Sequence, residues 1–441
     1  MKELFLMKIT FIGAGSTVFA RNVIGDCILT PELGAFDVCL FDIDPVRLEE
    51  SYQILSNMNA TANGKATITR TLDRTEAFTG ADFVVNAIQV GGYDPCTITD
   101  FEVPKKYRLR QTIADTLGIG GIFRALRTIP VMESYARDME RLCPRALFLN
   151  YTNPMSILTG YMQRYTDIQT VGLCHSVQGC VPGLLSELGM EDKKDEARWE
   201  IAGINHQAWL LKIEDAVGND LYPEIKRRAS DPAYNTEGKD LVRLELMKRF
   251  GYYVTESSEH SSEYTPWFIK ERYPELIERY KIPLDEYPRR CINQIKGWNE
   301  MRDSLLKDSH IEHKLSNEFA ARIISAVLTD KPYRIHGNVM NNGLITNLPQ
   351  NACVEVPVMV DRNGLNPCVV GDLPEQCAAI NRTNINVQLL TIQAARSLKK
   401  EDVYMAAYMD PHTAAELSLD DIRSLCDDLF EAHKDWLPTY R

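Results

Sequence analysis

Six short apolar runs, spaced by helix-length segments through the first 180 residues, limit this chain more than any other feature. They read MKITFIGAG (7–15), FDVCLFDID (36–44), ATITR (66–70), DFVVNAIQV (82–90), ALFLNYTNP (146–154) and TVGLC (170–174). Segments 16–30, 45–60 and 122–142, lying between such runs, have helical character. Strands alternating with helices in this way require a parallel sheet covered on both faces. The expected fold class is therefore α/β, a Rossmann-type doubly wound parallel sheet. After about residue 180 the rhythm changes. Strand-like pieces at 202–214 and 333–360 are broken by Asn, Gly and Pro, and long helices are expected at 241–250, 292–306, 317–328, 384–398 and 419–433. An α+β catalytic domain over 181–441 thus follows a nucleotide-binding domain over 1–180, as a length of 441 residues suggests.

The end of the first strand carries the first chemical signal. Gly13 and Gly15 permit a tight turn and close approach of a pyrophosphate at a helix N-terminus. Val18 stands where a third glycine would complete the fingerprint, so the motif is partial. Ser16 and Thr17 can cap the helix and donate to phosphate. Asp42, ending the second strand, suits the ribose hydroxyls of adenosine and repels a 2′-phosphate, favouring NAD over NADP; Asp44 is the nearby alternative. Asn86 and Gln89 are expected to line the nicotinamide side. Asn153, in an NYTNP turn that resembles the Asn-Pro turn of lactate and malate dehydrogenases, is expected between the nicotinamide ribose and substrate; a plain Asx turn is the competing reading.

A hydroxy-acid dehydrogenase would need a histidine as acid and base. His336, in IHGNV, superficially fits, but its strand-and-turn surroundings suit a structural residue better. GLCHSVQG (172–179) and GINHQAW (203–209) offer something else. Cys174 and His206 supply a thiolate and an imidazole, both metal ligands, with positions left open for substrate oxygens. A buried thiol and a satisfied imidazole are the alternative.

Together the strings MKITFIGAGST, QVGGYDPC, QTIADTLGIGGIFRALRTIP, LNYTNPM, GLCHSVQG, AGINHQAW, GYYVTESSEHSSEYTPWF, LDEYPRRC and MDPHTAAELS resemble glycoside hydrolase family 4, most closely its α-galactosidase (melibiase) branch. The resemblance runs in order over about residues 7–438. It implies NAD and a divalent metal, usually Mn²⁺, and hydrolysis of terminal α-galactosides such as melibiose and raffinose-type sugars by redox-assisted elimination. Hydride leaves sugar C3 for NAD⁺, the C2 proton is removed, the C1 leaving group departs, water adds and the hydride returns. NAD-dependent members stand outside the two-carboxylate scheme of most glycosidases.

The resemblance makes Cys174 and His206 the metal ligands, Tyr264 the base, and Asn153 and Arg289 substrate contacts. The leaving-group acid is His175 or Asp115; some members carry Asp where this chain has His175. His260 and Tyr264 would share a helical face if that stretch is helical. α-Glucosidase and α-galacturonidase remain alternatives within the family, as do an NAD-dependent dehydrogenase and a catalytically silent sugar-responsive NAD-binding protein outside it. A homo-oligomer, dimer or tetramer, is also implied.

The bulk properties fit a cytoplasmic enzyme. The net charge of −12 speaks against a nucleic-acid or anionic-membrane surface, and no apolar run reaches transmembrane length. MKELFLMKIT is too short for a signal peptide, and Met7 could be an alternative start. Eleven cysteines without a CxxC pair point to a reducing compartment.

Overall fold

The structure, a computed structural model, describes residues 6–234 and 238–441; the first five residues of the MKELFLMKIT stretch lie outside that description. The apolar runs form β1 (Met7–Ile12), β2 (Phe36–Phe41), β3 (Ala66–Thr71), β4 (Phe83–Asn86), β5 (Leu147–Asn150) and β6 (Thr170–Leu173). They pair in parallel in the order β3-β2-β1-β4-β5-β6, the order of dinucleotide-binding folds. Successive residues feed opposite cores. Phe83, Val85, Leu147 and Leu149 enter one cluster, while Val84 and Phe148 enter the other. This period of two with apolar side chains on both faces is why the strands read as continuous apolar runs. β3 is the edge, and its exposed polar positions show it.

The second half extends the same sheet. Segment 202–214 belongs to a hairpin, β7 (Arg198–Ile204) and β8 (Gln207–Glu214), and 333–360 to another, β10 (Tyr333–Met340) and β11 (Cys353–Asp361). β9 (Tyr253–Val254) and β12 (Gly364–Pro367) complete twelve strands among the described residues. β10 lies antiparallel beside β6, pairing Gly337 with Leu173 and Asn338 with Gly172, and the order continues β11-β7-β8-β9. Two of the expected helices begin earlier than their apolar periodicity suggests, at Glu286–Lys307 and Glu375–Ser397. The first of these opens on a charged turn before it buries Cys291, whereas the second already buries Cys377, Ala378 and Ile380.

A buried ionic triad ties the chain's end to its middle. Arg127, on helix Gly118–Leu142, grips Asp100 on helix Ile98–Lys105 through two bonds of 3.0 and 2.6 Å. His433 Nε2 lies 2.8 Å from the same carboxylate. All three side chains are almost wholly buried. Removing one member strands the opposite charge in the interior, at a cost of about 3–5 kcal/mol. Asp100→Ala should therefore lower the unfolding free energy in urea by about that much, whereas Lys434→Ala, which breaks an exposed pair with Glu431, should leave the urea midpoint nearly unchanged.

Candidate active site

Ligands bind beyond the carboxyl ends of the strands in sheets of this type, and the candidate residues gather there. Gly13 takes φ +82°, and a Cβ there would lie 2.8 Å from the Ala87 carbonyl. A Cβ on Gly15 would meet Asp42 Oδ2 at 2.8 Å. Both positions need glycine because the turn is pressed against β4 and the end of β2. Asp42 accepts from Gly15 N at 2.6 Å and from Asp44 N at 2.9 Å, so it also fixes the turn. Asp44 caps helix Pro45–Thr61, accepting from Val46 N and Arg47 N.

Several expected cofactor contacts have other partners. Ser16 makes no side-chain cap on helix Thr17–Ile28. The Thr17 hydroxyl is turned inward, 2.9 Å from Ser51 Oγ, and Ser51 donates to Ala14 O. The Thr17 hydroxyl is thus engaged within the fold, while Ser16 leaves the backbone N–H groups at the helix start uncapped. Asn86 is fully buried, donating to Asn150 and Thr152 and so fastening the ends of β4 and β5. Gln89 donates to Thr97 Oγ1 at 3.3 Å within its own loop.

Cys174 and His206 do come together. Cys174 follows β6. His206 sits in the two-residue connection between β7 and β8, whose register closes at Ile204 and Gln207. Its φ of +62° is one that His tolerates better than most residues. A third ligand-type group joins them: Cys174, His206 and Glu256 place their donor atoms within 4.8 Å of one another. Glu256 arrives through β9, which pairs Val254 with Trp209, and Thr255 N then donates to Ala208 O at 2.8 Å. The next residue, Glu256, faces the His206 turn, its Oε2 3.6 Å from His206 Nε2.

The electrostatics follow from this packing. Burial opposes the Cys174 thiolate, but the His206 charge and hydrogen bond outweigh it and hold the thiol below its ordinary value. Burial likewise opposes a charge on His206, yet Cys174 and Glu256 raise it well above the usual imidazole range. Burial opposes the Glu256 charge, and the cationic surroundings, His206 and Arg243 among them, keep the carboxyl low.

Tyr264 caps the short helix Ser258–Glu263, and its Oη lies 3.0 Å from His206 Nδ1. His260 meets the His206 ring edge-on, with centroids 4.7 Å apart. The phenol is not acidified here; burial, with Asp115 and Glu263 nearby, raises it well above its ordinary value. Asp115 accepts from Asn153 Nδ2 at 3.3 Å and from the Thr116 hydroxyl at 2.8 Å, and its Oδ1 is 4.0 Å from His260 Nε2. A line of polar groups thus runs from Asn153 through Asp115 and His260 to Glu256 and His206. Glu263 holds the Asp115 loop in place by accepting from the backbone N–H groups of Thr112, Ile113 and Ala114.

His175 is more peripheral, 2.9 Å from Glu318 and half-exposed. It lines a cavity of about 630 Å³ that also reaches Glu256, Ser257 and Arg243. Arg289 has partners of its own on the surface. It is half-exposed, donates to Leu284 O, and pairs with Glu286 on the surface. His336 stacks on Trp199 at 5.3 Å, where burial and Arg334 push it down to about 3, a neutral packing group.

One carboxylate escapes sequence reasoning. Glu256 stands in TESSEHSSEY, and the Glu-x-x-x-His spacing suggests helix neighbours, but Glu256 has φ +67° and lies outside the helix. Its approach to His206 is set by strand register. Iodoacetamide should label Cys174 of metal-free protein before Cys27, Cys39, Cys96, Cys143, Cys180, Cys353 and Cys377, whose thiols burial raises. The pH midpoint of that labelling, followed by peptide mass spectrometry, should fall below that of an ordinary thiol.

Comparison with known proteins shows the family. The family 4 glycosyl hydrolase model matches residues 8–190, and the model of that family's C-terminal domain matches 201–413. The chain is 59% identical to an alpha-galactosidase of Bacillus subtilis (strain 168) over 436 residues, covering 99% of this chain and 100% of the relative. A structure of the putative glucosidase lplD of Bacillus subtilis superposes with a TM-score of 0.84 at 25% identity, covering 96% of this chain and 99% of the other. A 6-phospho-beta glucosidase of Thermotoga maritima, solved with manganese, NAD+ and glucose-6-phosphate, shares the fold at a TM-score of 0.79 and 19% identity, covering 98% and 100%. With a dinucleotide-type sheet, a thiolate–imidazole–carboxylate cluster beyond its strand ends, and both family models matched in order, this chain belongs to glycosyl hydrolase family 4.

Proposed function

We propose that this protein hydrolyses terminal α-galactosides, such as melibiose and raffinose-type sugars, using NAD and Mn²⁺ or another divalent metal. The observation that carries the reading is the Cys174–His206–Glu256 cluster beside the 630 Å³ cavity, in a chain 59% identical to an alpha-galactosidase. The residues fit both cofactors. The cluster joins a thiol already held low to an imidazole and a carboxylate, donors suited to a divalent ion. The glycine turn leaves no room for a Cβ at two positions, and Asp42 stands beside it. Bound NAD would supply a hydride acceptor, and the bound metal a Lewis acid for sugar oxygens.

The chain's own residues then do the following. Cys174 and His206 hold the ion. Asn153 gives its amide hydrogen to Asp115 and keeps Oδ1 without a partner, an acceptor for a sugar hydroxyl. Tyr264 Oη, hydrogen-bonded to His206 Nδ1, orients the imidazole and is the site of C2 proton removal. Its raised pKa in the metal-free site means that this role depends on added positive charge. Asp115 and His175 are the two carriers for the leaving-group proton. Asp115 lies in the same line of polar groups as His260, whereas His175 lies on the cavity wall.

Two further properties belong to this reading. All eleven cysteines are free, which supports a reducing, cytoplasmic setting, and among the described residues no helix is long and apolar enough to cross a membrane. Ile292, Ile295 and Met301 are exposed on helix Glu286–Lys307, which supports a homo-oligomer.

Metal-stripped, reduced protein should cleave p-nitrophenyl α-galactoside only when NAD⁺ and Mn²⁺ are both added, with no net NADH. Cleavage without either, once residual cofactor is excluded, sinks the reading. Faster cleavage of the α-glucoside or α-galacturonide would move the substrate within the family, and steady NADH release would indicate a dehydrogenase. Tyr264→Phe should lower kcat by about 10²–10⁴-fold.

A further inference from the structure

We propose that Glu256 is a third protein ligand to the catalytic metal, so that the ion is held by a Cys–His–Glu set. The inference rests on the metal-dependent reading above and deepens it. Its ground is position. The Glu256 carboxylate lies with Cys174 and His206 in one group of donor atoms, all within 4.8 Å of each other. This is the only such group of three among the described residues. No element of the parallel half brings it there. The β8–β9 ladder carries the chain past Trp209 and Ala208 and delivers Glu256 opposite the His206 turn.

The chemistry of the donors supports a ligand role over simple pairing. Thiolate is a soft donor, and a hard divalent ion such as Mn²⁺ prefers oxygen. A carboxylate oxygen corrects that mismatch. One thiolate, one carboxylate and one neutral imidazole also balance a divalent charge. Three protein ligands leave further positions open for substrate oxygens, as a catalytic site requires. Glu256 Oε1 lies 3.4 Å from His260 Nδ1, a nitrogen whose hydrogen bond of 2.8 Å is with Ser257 Oγ, so the carboxylate is not tied up by that ring. Glu256 also lines the cavity, so a sugar entering there would meet the ion from the side of this carboxylate.

The test is direct Mn²⁺ binding, read without catalysis. Free Mn²⁺ is titrated by its electron paramagnetic resonance signal into metal-stripped parent, E256Q, E256D and H260N proteins. NAD⁺ affinity and the urea midpoint of each are measured alongside. The expected result is loss of Mn²⁺ affinity in E256Q by more than about 100-fold, partial retention in E256D and near-parent affinity in H260N, with NAD⁺ binding and folding unchanged. A Zn²⁺ titration should show a smaller loss in E256Q, because the thiolate and imidazole suit zinc without the carboxylate. E256Q binding Mn²⁺ within about threefold of the parent would overturn the assignment while leaving the metal-dependent reading intact. A parent that binds no Mn²⁺ would overturn both. If E256Q fails to fold, E256D decides: parent-like affinity for Zn²⁺ with weakened Mn²⁺ supports the ligand role, and equal affinity for both ions overturns it.

Discussion

The short antiparallel contact between β6 and β10 governs the rest of the molecule. Only two residue pairs, Gly337 with Leu173 and Asn338 with Gly172, join the parallel half of the sheet to the antiparallel half. Both halves meet near the carboxyl end of β6, one residue before Cys174. The contact demands small residues. A Cβ on Gly172 would meet the Met155 sulfur at 2.5 Å, and one on Gly337 would meet Val171 at 2.9 Å. Through β10 and β11 the sheet reaches β7, and the β7–β8 turn returns His206 to Cys174. A thiol and an imidazole far apart in sequence thus become neighbours because one sheet passes beneath both.

That neighbourhood concentrates charge where water is scarce. The Cys174 thiol is held low by His206, the imidazole is held high by Cys174 and Glu256, and the Glu256 carboxyl is kept low by the charges around it, each against the direction in which burial alone would push it. A bound divalent ion would supply positive charge to the same donors. The second layer is built with similar economy. Glu263 spends its carboxylate on three backbone N–H groups, so the Asp115 loop is gripped by the same helix that ends in Tyr264. Base candidate and acid candidate are therefore fixed to each other.

How much of this could be read from sequence varied with range. β1 to β6 were legible because burial on both faces writes itself as apolar runs, and Gly13, Gly15 and Asp42 because turn geometry and strand ends are local. Cys174 and His206 were legible as ligand types. Their meeting required family resemblance, since nothing in the 31 intervening positions encodes a sheet contact. The directions of Thr17 and Arg289 were not legible, because a hydroxyl or guanidinium carries no sign of where it points; one turns to Ser51, the other to Glu286. Glu256 was invisible for a related reason. Its place depends on the register of a two-residue strand, β9, too short to leave a pattern.

The anchor formed by Asp100, Arg127 and His433 has a consequence for the order in which the fold closes. Gln111 donates to the Asp100 carbonyl, and the loop that follows carries Asp115. The loop is thus roped to a histidine 333 positions along the chain from Asp100. Closing so long a stretch costs more entropy than pairing the parallel strands, whose partners lie much nearer in sequence. The nucleotide half can therefore take shape early, while the proton-handling side of the site waits for His433 to dock.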